Sequence, residues 1–541
     1  MTDSDSKKDE LARVEMEDYP TKEDAVDQEA FELQQAIRNY IPNTDAEKKL
    51  VRKIDLHLIP ILWIMYVLNY VDRTNIGNAK TAGMDDDLKL GGGRYAWVIS
   101  IFFFGYLIME VPSNMILSRS RPSLFLPFIM LVWGALSAAM ASVQNYGSIL
   151  AFRFVLGCVE SGFFPGVLFM LSCWYKTEEI GKRFAIFYSA AVLSGAFGGI
   201  LAGAITGNLD GVHGIEGWRW LFIIEGVATV GVALITPLIL LDFPHSSKAL
   251  SLEQRQLATV RIIVDSQESS GGDRLSHWEA FKAAAIDPRT YAFMFLFVLD
   301  LGAGTISYFI PTITKSLGYS TTDAQYMTVP VYATATVVLN ILAWNADRVG
   351  ERRWHITASL SLGFVSALVC AVVQTPTARY VMLCFVAAGI WSALPLIIAW
   401  ASKTIAFPAE KRAIAIAMIN AVGNLASVYG SHLWPSDTAP RYTLGWGVTA
   451  GFLGGGAVVA VLLPIFIAWV PIPLTEAERA LREEGDMMAA AAEVEHIERS
   501  KVSFSALHKY PIPNRPKALN PAQRKAWLSD ALKTHQHVTL Q

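Results

Sequence analysis

The chain has 541 residues, of which 52% are hydrophobic and only 17% charged; its net charge is −3 and its mean hydropathy +0.34. A soluble protein of this length carries about 25% charge and divides into several domains, so a soluble enzyme, a disordered chain and a disulfide scaffold are all excluded. The near-neutral balance gives no electrostatic reason to expect nucleic acid as a partner.

Residues 1–54 are polar, with acidic clusters at Asp3, Asp5, Asp9 and Glu10 and at Glu15, Glu17 and Asp18. They lack the apolar stretch of a secretory signal, which leaves targeting to the first membrane segment. This stretch is expected to be a largely disordered tail with a short helix near 30–38.

Long apolar runs then recur from residue 55 to residue 470. A membrane helix needs about 20 apolar residues to cross roughly 30 Å of hydrocarbon. Twelve such runs stand at 55–78, 95–117, 123–142, 147–171, 184–206, 218–241, 290–312, 326–345, 355–374, 380–402, 413–434 and 446–470. An even number puts both ends of the chain on one side. One set of short loops concentrates Arg119, Arg121, Lys176, Lys182, Arg183, Arg348, Arg352, Arg353, Lys411 and Arg412. The opposite loops are longer and include Asp85, Asp86 and Asp87, so the positive-inside rule places both ends in the cytosol.

The longest polar break, 242–289, divides the spans into bundles at 55–241 and 290–470. Within it, Leu, Val and Ile recur at helical spacing alongside Arg255, Arg261 and Arg274, the pattern of an amphipathic helix on the inner membrane surface. The halves resemble each other weakly. The sixth span exits through Asp242-Phe-Pro244 towards Leu252-Glu-Gln-Arg255, the twelfth through Val470-Pro-Ile-Pro473 towards Thr475-Glu-Ala-Glu-Arg479. The expected fold is therefore an all-α polytopic membrane protein of twelve helices in two six-helix halves, followed by a polar cytosolic tail at 471–541. Duplicated halves point to an alternating-access transporter.

Ionisable residues inside apolar spans carry the functional reading, because each is costly to place in lipid. The first span ends Asn69-Tyr70-Val71-Asp72-Arg73-Thr74-Asn75-Ile76, and the fourth contains Arg153 and Glu160. Seven residues separate that pair, close to two turns or about 10 Å on one helix face. Glu160 falls near mid-membrane, with Asp72, Arg73 and Arg153 in the outer third. Four charges sharing an aqueous cavity between helices one and four would couple a proton to an anion. An anion competing for an arginine frees a carboxylate to take the proton. The other reading is a permanent cluster that holds the helices together.

After the eighth span the chain reads Asp347-Arg348-Val-Gly350-Glu-Arg352-Arg353. This resembles the D-R-x-G-R-R loop of the major facilitator superfamily, whose charges would pair across the bundle and break as it rocks. The matching loop in the first half, Ser118-Arg119-Ser120-Arg121-Pro122, lacks the Asp and Gly. The motif Asn69-Tyr70-x-Asp72-Arg73-x-Asn75-Ile76, with Arg153-Phe-x-Leu-Gly157-x-x-Glu160-x-Gly162-Phe-x-Pro165-Gly166, is similar to the anion:cation symporter family. The nearest likeness within it is to fungal allantoate, nicotinate and vitamin-type permeases, over about residues 55–475. That resemblance implies proton coupling by Asp72 and Glu160, and substrate contact by Arg73, Arg153, Tyr106 and Asn424. It also implies a gating loop at Asp347, Arg348, Gly350, Arg352 and Arg353.

Two residues depart from the pattern. Lys403 could reach an anion or snorkel to the cytosolic interface. Asp300, in the seventh span, could bond Thr305 or Tyr308, or face the cavity. Gly195–Gly203 and Gly451–Gly456 read as close helix-packing surfaces. Cys158, Cys173, Cys370 and Cys384 lie in apolar runs without metal-ligand spacing. No nucleotide loop or protease motif is present. The expectation is a monomeric, multi-pass plasma-membrane symporter that needs no cofactor, is not an enzyme, and imports a small organic anion, a carboxylate such as a vitamin or allantoate, with protons. A proton-antiport exporter of a metabolite or drug, or a non-transporting nutrient sensor, would use the same fold.

Overall fold

The computed structural model describes residues 34–117, 120–270, 275–405, 408–475 and 478–479, and the architecture below is that of the unit ending at Glu478. The acidic N-terminal clusters, Arg119, Arg274 and most of the C-terminal tail lie outside the described residues. Of the helix expected near 30–38, residues 34–38 are described and are helical.

The described residues fold almost entirely into helices, as a lipid solvent demands, because only a helix satisfies its own backbone polar groups. The first half contains α1 (Asp45–Ala79), α2 (Arg94–Leu117) and α3 (Pro122–Ala139), then a broken span formed by α4 (Tyr146–Glu160) and α5 (Phe163–Trp174). It closes with α6 (Thr177–Asn208) and α7 (Gly217–Ile239). The linker forms α8 (Leu252–Ser270) and α9 (His277–Ala285). The second half contains α10 (Pro288–Gly304), α11 (Thr328–Val349), α12 (Arg353–Val372), α13 (Pro376–Thr404), α14 (Ala409–Asn424) and α15 (Thr443–Trp469).

Local chemistry sets the ends of these helices. Thr44 caps α1 by accepting the Glu47 amide at 3.2 Å, Asn145 and Ser148 form a reciprocal capping box on α4, and proline begins α3, α10 and α13. Gly350 closes α11 at φ +75°, a left-handed position that explains the glycine in the Asp347–Arg353 loop.

Eleven described helical segments are long and apolar enough to cross a membrane. They match the expected runs except the second, where α2 (Arg94–Leu117) is helical over 24 residues but is not among the eleven. Helix packing repeats between the halves. In the first, α1 packs on α6 and α7, α2 on α4, and α3 on α7; in the second, α10 packs on α14 and α15, α11 on α13, and α12 on α15. The halves meet along α6 with α11 and along α2 with the segment Ala426–Gly430.

Glycine spacing explains how closely α6 approaches α11 and the short helix Thr321–Tyr326 just before it. A β-carbon at Gly195 would fall 2.4 Å from the Tyr332 ring, and one at Gly199 would fall 2.8 Å from the Gln325 carbonyl oxygen. At Gly203 it would meet the Tyr326 ring at 2.6 Å. This stripe, read in the sequence as a packing surface, lies on the seam between halves.

Hydrogen bonds across the seam gather at the end remote from the linker. Lys80 Nζ donates to Ser436 Oγ (3.0 Å), Lys315 Nζ to the Thr81 carbonyl (2.9 Å), and Gln325 Nε2 to Thr81 Oγ1 (2.6 Å). Tyr95 Oη donates to the Tyr308 carbonyl (3.2 Å), and Ser100 Oγ lies 2.8 Å from Ser431 Oγ. At the linker end, Arg183 grips Asp55 at 2.6 and 2.9 Å within the first half, and Lys411 of the second half pairs with Asp287 at the end of the linker at 2.8 Å. Burial works against ionising Asp287, but hydrogen bonds from Arg289 and Lys411 outweigh it and hold the carboxyl below its ordinary range.

A Gly199→Ala substitution tests this seam. With Gln325 backbone in the way, the far end should open more often. A membrane-impermeant thiol reagent applied from the far side should then label a Ser307→Cys reporter several-fold faster, in a background whose native cysteines are replaced.

The linker departs from expectation. Arg261 of α8 is fully buried rather than laid on a membrane surface. Its guanidinium pairs with Glu47 (3.0 Å) and Glu179 (2.5 Å) and donates to the Trp174 carbonyl (3.3 Å). An arginine offering several donors fixes the linker to the first half.

Candidate functional site

The last third of α1 projects several polar side chains, and helical geometry sends them to different places. Asn69 and Arg73 stand four residues apart, on one face. Both donate to the same atom, Glu160 Oε2: Asn69 Nδ2 at 2.7 Å and Arg73 Nε at 2.8 Å. Asp72 leaves the helix one residue earlier and faces α3, where its carboxylate accepts from Ser137 Oγ. Glu160 and Arg153 have no solvent exposure, and Asp72 and Arg73 are nearly as buried.

Arg153 is held differently from the sequence expectation. Its Nε reaches the Val98 carbonyl at 3.4 Å and its guanidinium lies 4.7 Å from the centre of the Phe102 ring. It acts electrostatically on both Glu160 and Asp72, but the direct partner of Glu160 is Arg73. Arg73 is also packed against aromatic rings, 4.9 Å from the centre of Tyr106, 5.4 Å from Phe102 and 5.5 Å from Tyr70.

A cavity of about 60 Å³ lies between the halves, its wall including Tyr70, Arg73, Tyr308, Tyr332, Trp391 and Asn424. Arg73 is the one charged side chain among the described lining residues. The expectation that all four charges share this cavity is therefore corrected. Asp72, Arg153 and Glu160 form a layer behind Arg73, because consecutive positions on α1 point about 100° apart and the fourth-span face bearing Arg153 and Glu160 is covered by α1 and α2. Of the six residues singled out, Arg73 and Asn424 line the cavity; Tyr106 is 2% exposed and supports Arg73 from beneath.

The Asp347–Arg353 loop is also wired differently. Asp347 pairs with Arg352 at 3.2 Å inside the loop rather than across the bundle. Arg353 donates to the Val461 carbonyl of α15 at 2.7 Å, and Arg348 rests 5.4 Å from the Trp344 ring. Lys403 is exposed, with Nζ 3.5 Å from the Gly350 carbonyl, away from the cavity. Asp300 is 1% exposed; Thr305 Oγ1 bonds the Gly302 carbonyl instead, and neither Asp300 oxygen has a partner among the described residues.

Two buried or half-buried carboxylates escaped the sequence reading. Glu110 of α2 is half-buried and lies within electrostatic reach of Arg73. Glu225 of α7 is 2% exposed, and neither of its oxygens has a partner among the described residues. Both sit in apolar runs, so the signal that picked out Glu160 also marks them.

The family model described as Major Facilitator Superfamily matches residues 62–431. The chain belongs to the Major Facilitator Superfamily. Among its relatives within the superfamily, it is 37% identical to MFS transporter prlL of Fungal sp. (strain NRRL 50135), covering 78% of this chain and 86% of that protein. It is 32% identical to a putative tartrate transporter of Agrobacterium vitis, covering 78% of this chain and 96% of the other. Among solved structures it is similar to a D-xylose–proton symporter, with a TM-score of 0.59 at 14% identity over 78% of this chain and 99% of that one. A bacterial Spinster homologue in an inward-facing, occupied conformation gives a TM-score of 0.58 at 14% identity, covering 76% and 96%. At these identities the two solved structures share the fold alone. This major facilitator is thus a multi-pass membrane transporter, a class that moves small molecules rather than transforming them.

Proposed function

We propose that this transporter is a proton-coupled symporter of a small organic anion, a carboxylate, of the anion:cation symporter type. The observation that carries the reading is Arg73: it is the single cation among the described residues of the cavity wall, and its Nε is tied to the buried Glu160. A carboxylate entering the cavity competes for the guanidinium. As Arg73 turns towards the substrate, Glu160 loses its counter-charge and takes a proton, so anion and proton load together. The likeness to a putative tartrate transporter supports a carboxylate, since tartrate is itself a dicarboxylate.

In this reading α2 is the second of twelve spans and both ends of the chain lie in the cytosol. The bundles run over 55–241 and 290–470, and the protein works as a monomer in the plasma membrane. The sealed end then faces outside, and the structure is closed there. Arg153 balances the carboxylates from behind, Asn424 and Tyr106 shape the substrate site, and the Asp347–Arg353 loop braces the inner end during rocking.

The test is uptake of a panel of labelled carboxylates at acid and neutral external pH, with and without a protonophore. Accumulation of at least one carboxylate, stronger at acid pH and collapsed by the protonophore, is the expected result. Uptake indifferent to both would overturn the symport reading.

A further inference from the structure

Glu225 belongs to no motif in the Asp72–Arg73–Arg153–Glu160 set, yet the packing of α7 brings it to the same place. Gly226 is pressed onto α3: a β-carbon there would lie 2.4 Å from the Ala138 amide nitrogen and 2.6 Å from the Gly134 carbonyl oxygen. Ser137, the residue that donates to Asp72, stands between those two contacts. Glu225 is therefore level with the Asp72–Ser137 pair, where α1, α3 and α7 meet.

The chemistry of that position is unusual. Glu225 is 2% exposed and neither Oε has a hydrogen-bond partner among the described residues; Asp72 Oδ2 is likewise without one. Among the described residues, the charged group that acts electrostatically on Glu225 is Asp72, a like charge. Helix α3 contains no ionisable residue, and the charged residues of α6 stand in its first turns, at the linker end. On α7 itself, Arg219 is committed to Asp87 and Glu216 at 2.6 Å each, and Lys80 of the neighbouring turn is committed to Ser436. An ionised carboxylate without a partner in such a site is too costly to persist, whereas a protonated one is tolerated.

We propose that Glu225 is a second proton-holding carboxylate, which acts with Asp72 as a pair behind the cavity. The inference rests on the proton-coupling reading above. Two carboxyls within electrostatic reach of each other in a site without solvent repel when both are ionised, so the pair favours holding a proton, and the charge of each influences when the other releases its own. Asp72 is the member within electrostatic reach of Glu160, Arg153 and Arg73, so the pair senses the state of the cavity through it.

The test uses purified full-length protein in lipid nanodiscs and pH-titrated infrared difference spectra, which need no substrate. The wild type should show the carbonyl band of a buried carboxylic acid that bleaches as pH rises. Glu225→Gln should diminish that band and move the midpoint of what remains by about one pH unit or more towards acid, because Asp72 loses one like-charged neighbour while keeping Glu160. Glu225→Asp should restore the wild-type midpoint. A Glu225→Gln spectrum that titrates like the wild type would overturn the proposal. If that variant fails to fold, Asp72→Asn is read instead: a remaining band with an unmoved midpoint would overturn it equally. Failure of symport itself is separate, since it appears as protonophore-indifferent uptake in the wild type whatever the infrared result.

Discussion

Replacing Arg73 with lysine should lower substrate uptake by about 100-fold or more in kcat/KM, equivalent to roughly 2.7 kcal/mol of lost transition-state stabilisation. Lysine retains the charge but loses three things the structure uses. Arg73 Nε holds Glu160 at 2.8 Å until a carboxylate arrives, and its planar fork can then pair with both oxygens of that carboxylate, an exchange that needs a branched donor. The flat guanidinium lies against Tyr106, Phe102 and Tyr70, contacts a compact ammonium cannot reproduce. It is also the sole charge on the described cavity wall, so no neighbour can substitute. Initial rates over a range of substrate concentrations, normalised to the amount of folded protein, would measure the loss. Uptake within a few-fold of wild type would remove Arg73 from the substrate site. Arg73→Ala should do more harm, because an unpaired Glu160 would remain in a site without solvent; removing one member of a buried pair costs about 3–5 kcal/mol. Its thermal stability in detergent should fall accordingly.

Glu160→Gln should separate coupling from transport. The amide is nearly isosteric, and its carbonyl oxygen can still accept from Asn69 and Arg73, so the α1–α4 contact survives. What disappears is the proton-binding group. Proton-driven accumulation should therefore vanish, while exchange of labelled for unlabelled substrate across the membrane persists at a measurable rate. Accumulation that survives the substitution would transfer the coupling role to Asp72 or to its pair with Glu225. Loss of both accumulation and exchange, in a protein that is folded and in the membrane, would make Glu160 part of the scaffold rather than the proton site.

The legibility of this protein in its sequence follows from the solvent it lives in. Lipid forbids unpaired backbone groups and makes charges expensive, so a long apolar run can only be a helix and an ionisable residue inside it stands out. Asp72, Arg73, Arg153 and Glu160 stand out by that rule, while the glycine stripe at Gly195, Gly199 and Gly203 is legible as a small-residue surface for close helix packing. Glu225 obeys the same rule, but it belongs to no motif, and chain order alone does not tie it to the other four.

By itself the sequence determined the helical class, the near-complete set of spans and the residues able to carry charge into the membrane. Each follows from composition and spacing along one helix, which chain order contains. Only the tertiary structure decided which of those charges meets the cavity. Spacing placed Arg153 and Glu160 on one face and suggested a shared site, but the partner of Glu160 comes from α1, and α1 and α2 together cover that face. The physical reason is that a helix fixes direction around its own axis and says nothing about which neighbouring helix lies in that direction. Partners are chosen by packing between helices. That choice puts Arg73 at the front, with Glu160, Arg153, Asp72 and Glu225 behind it.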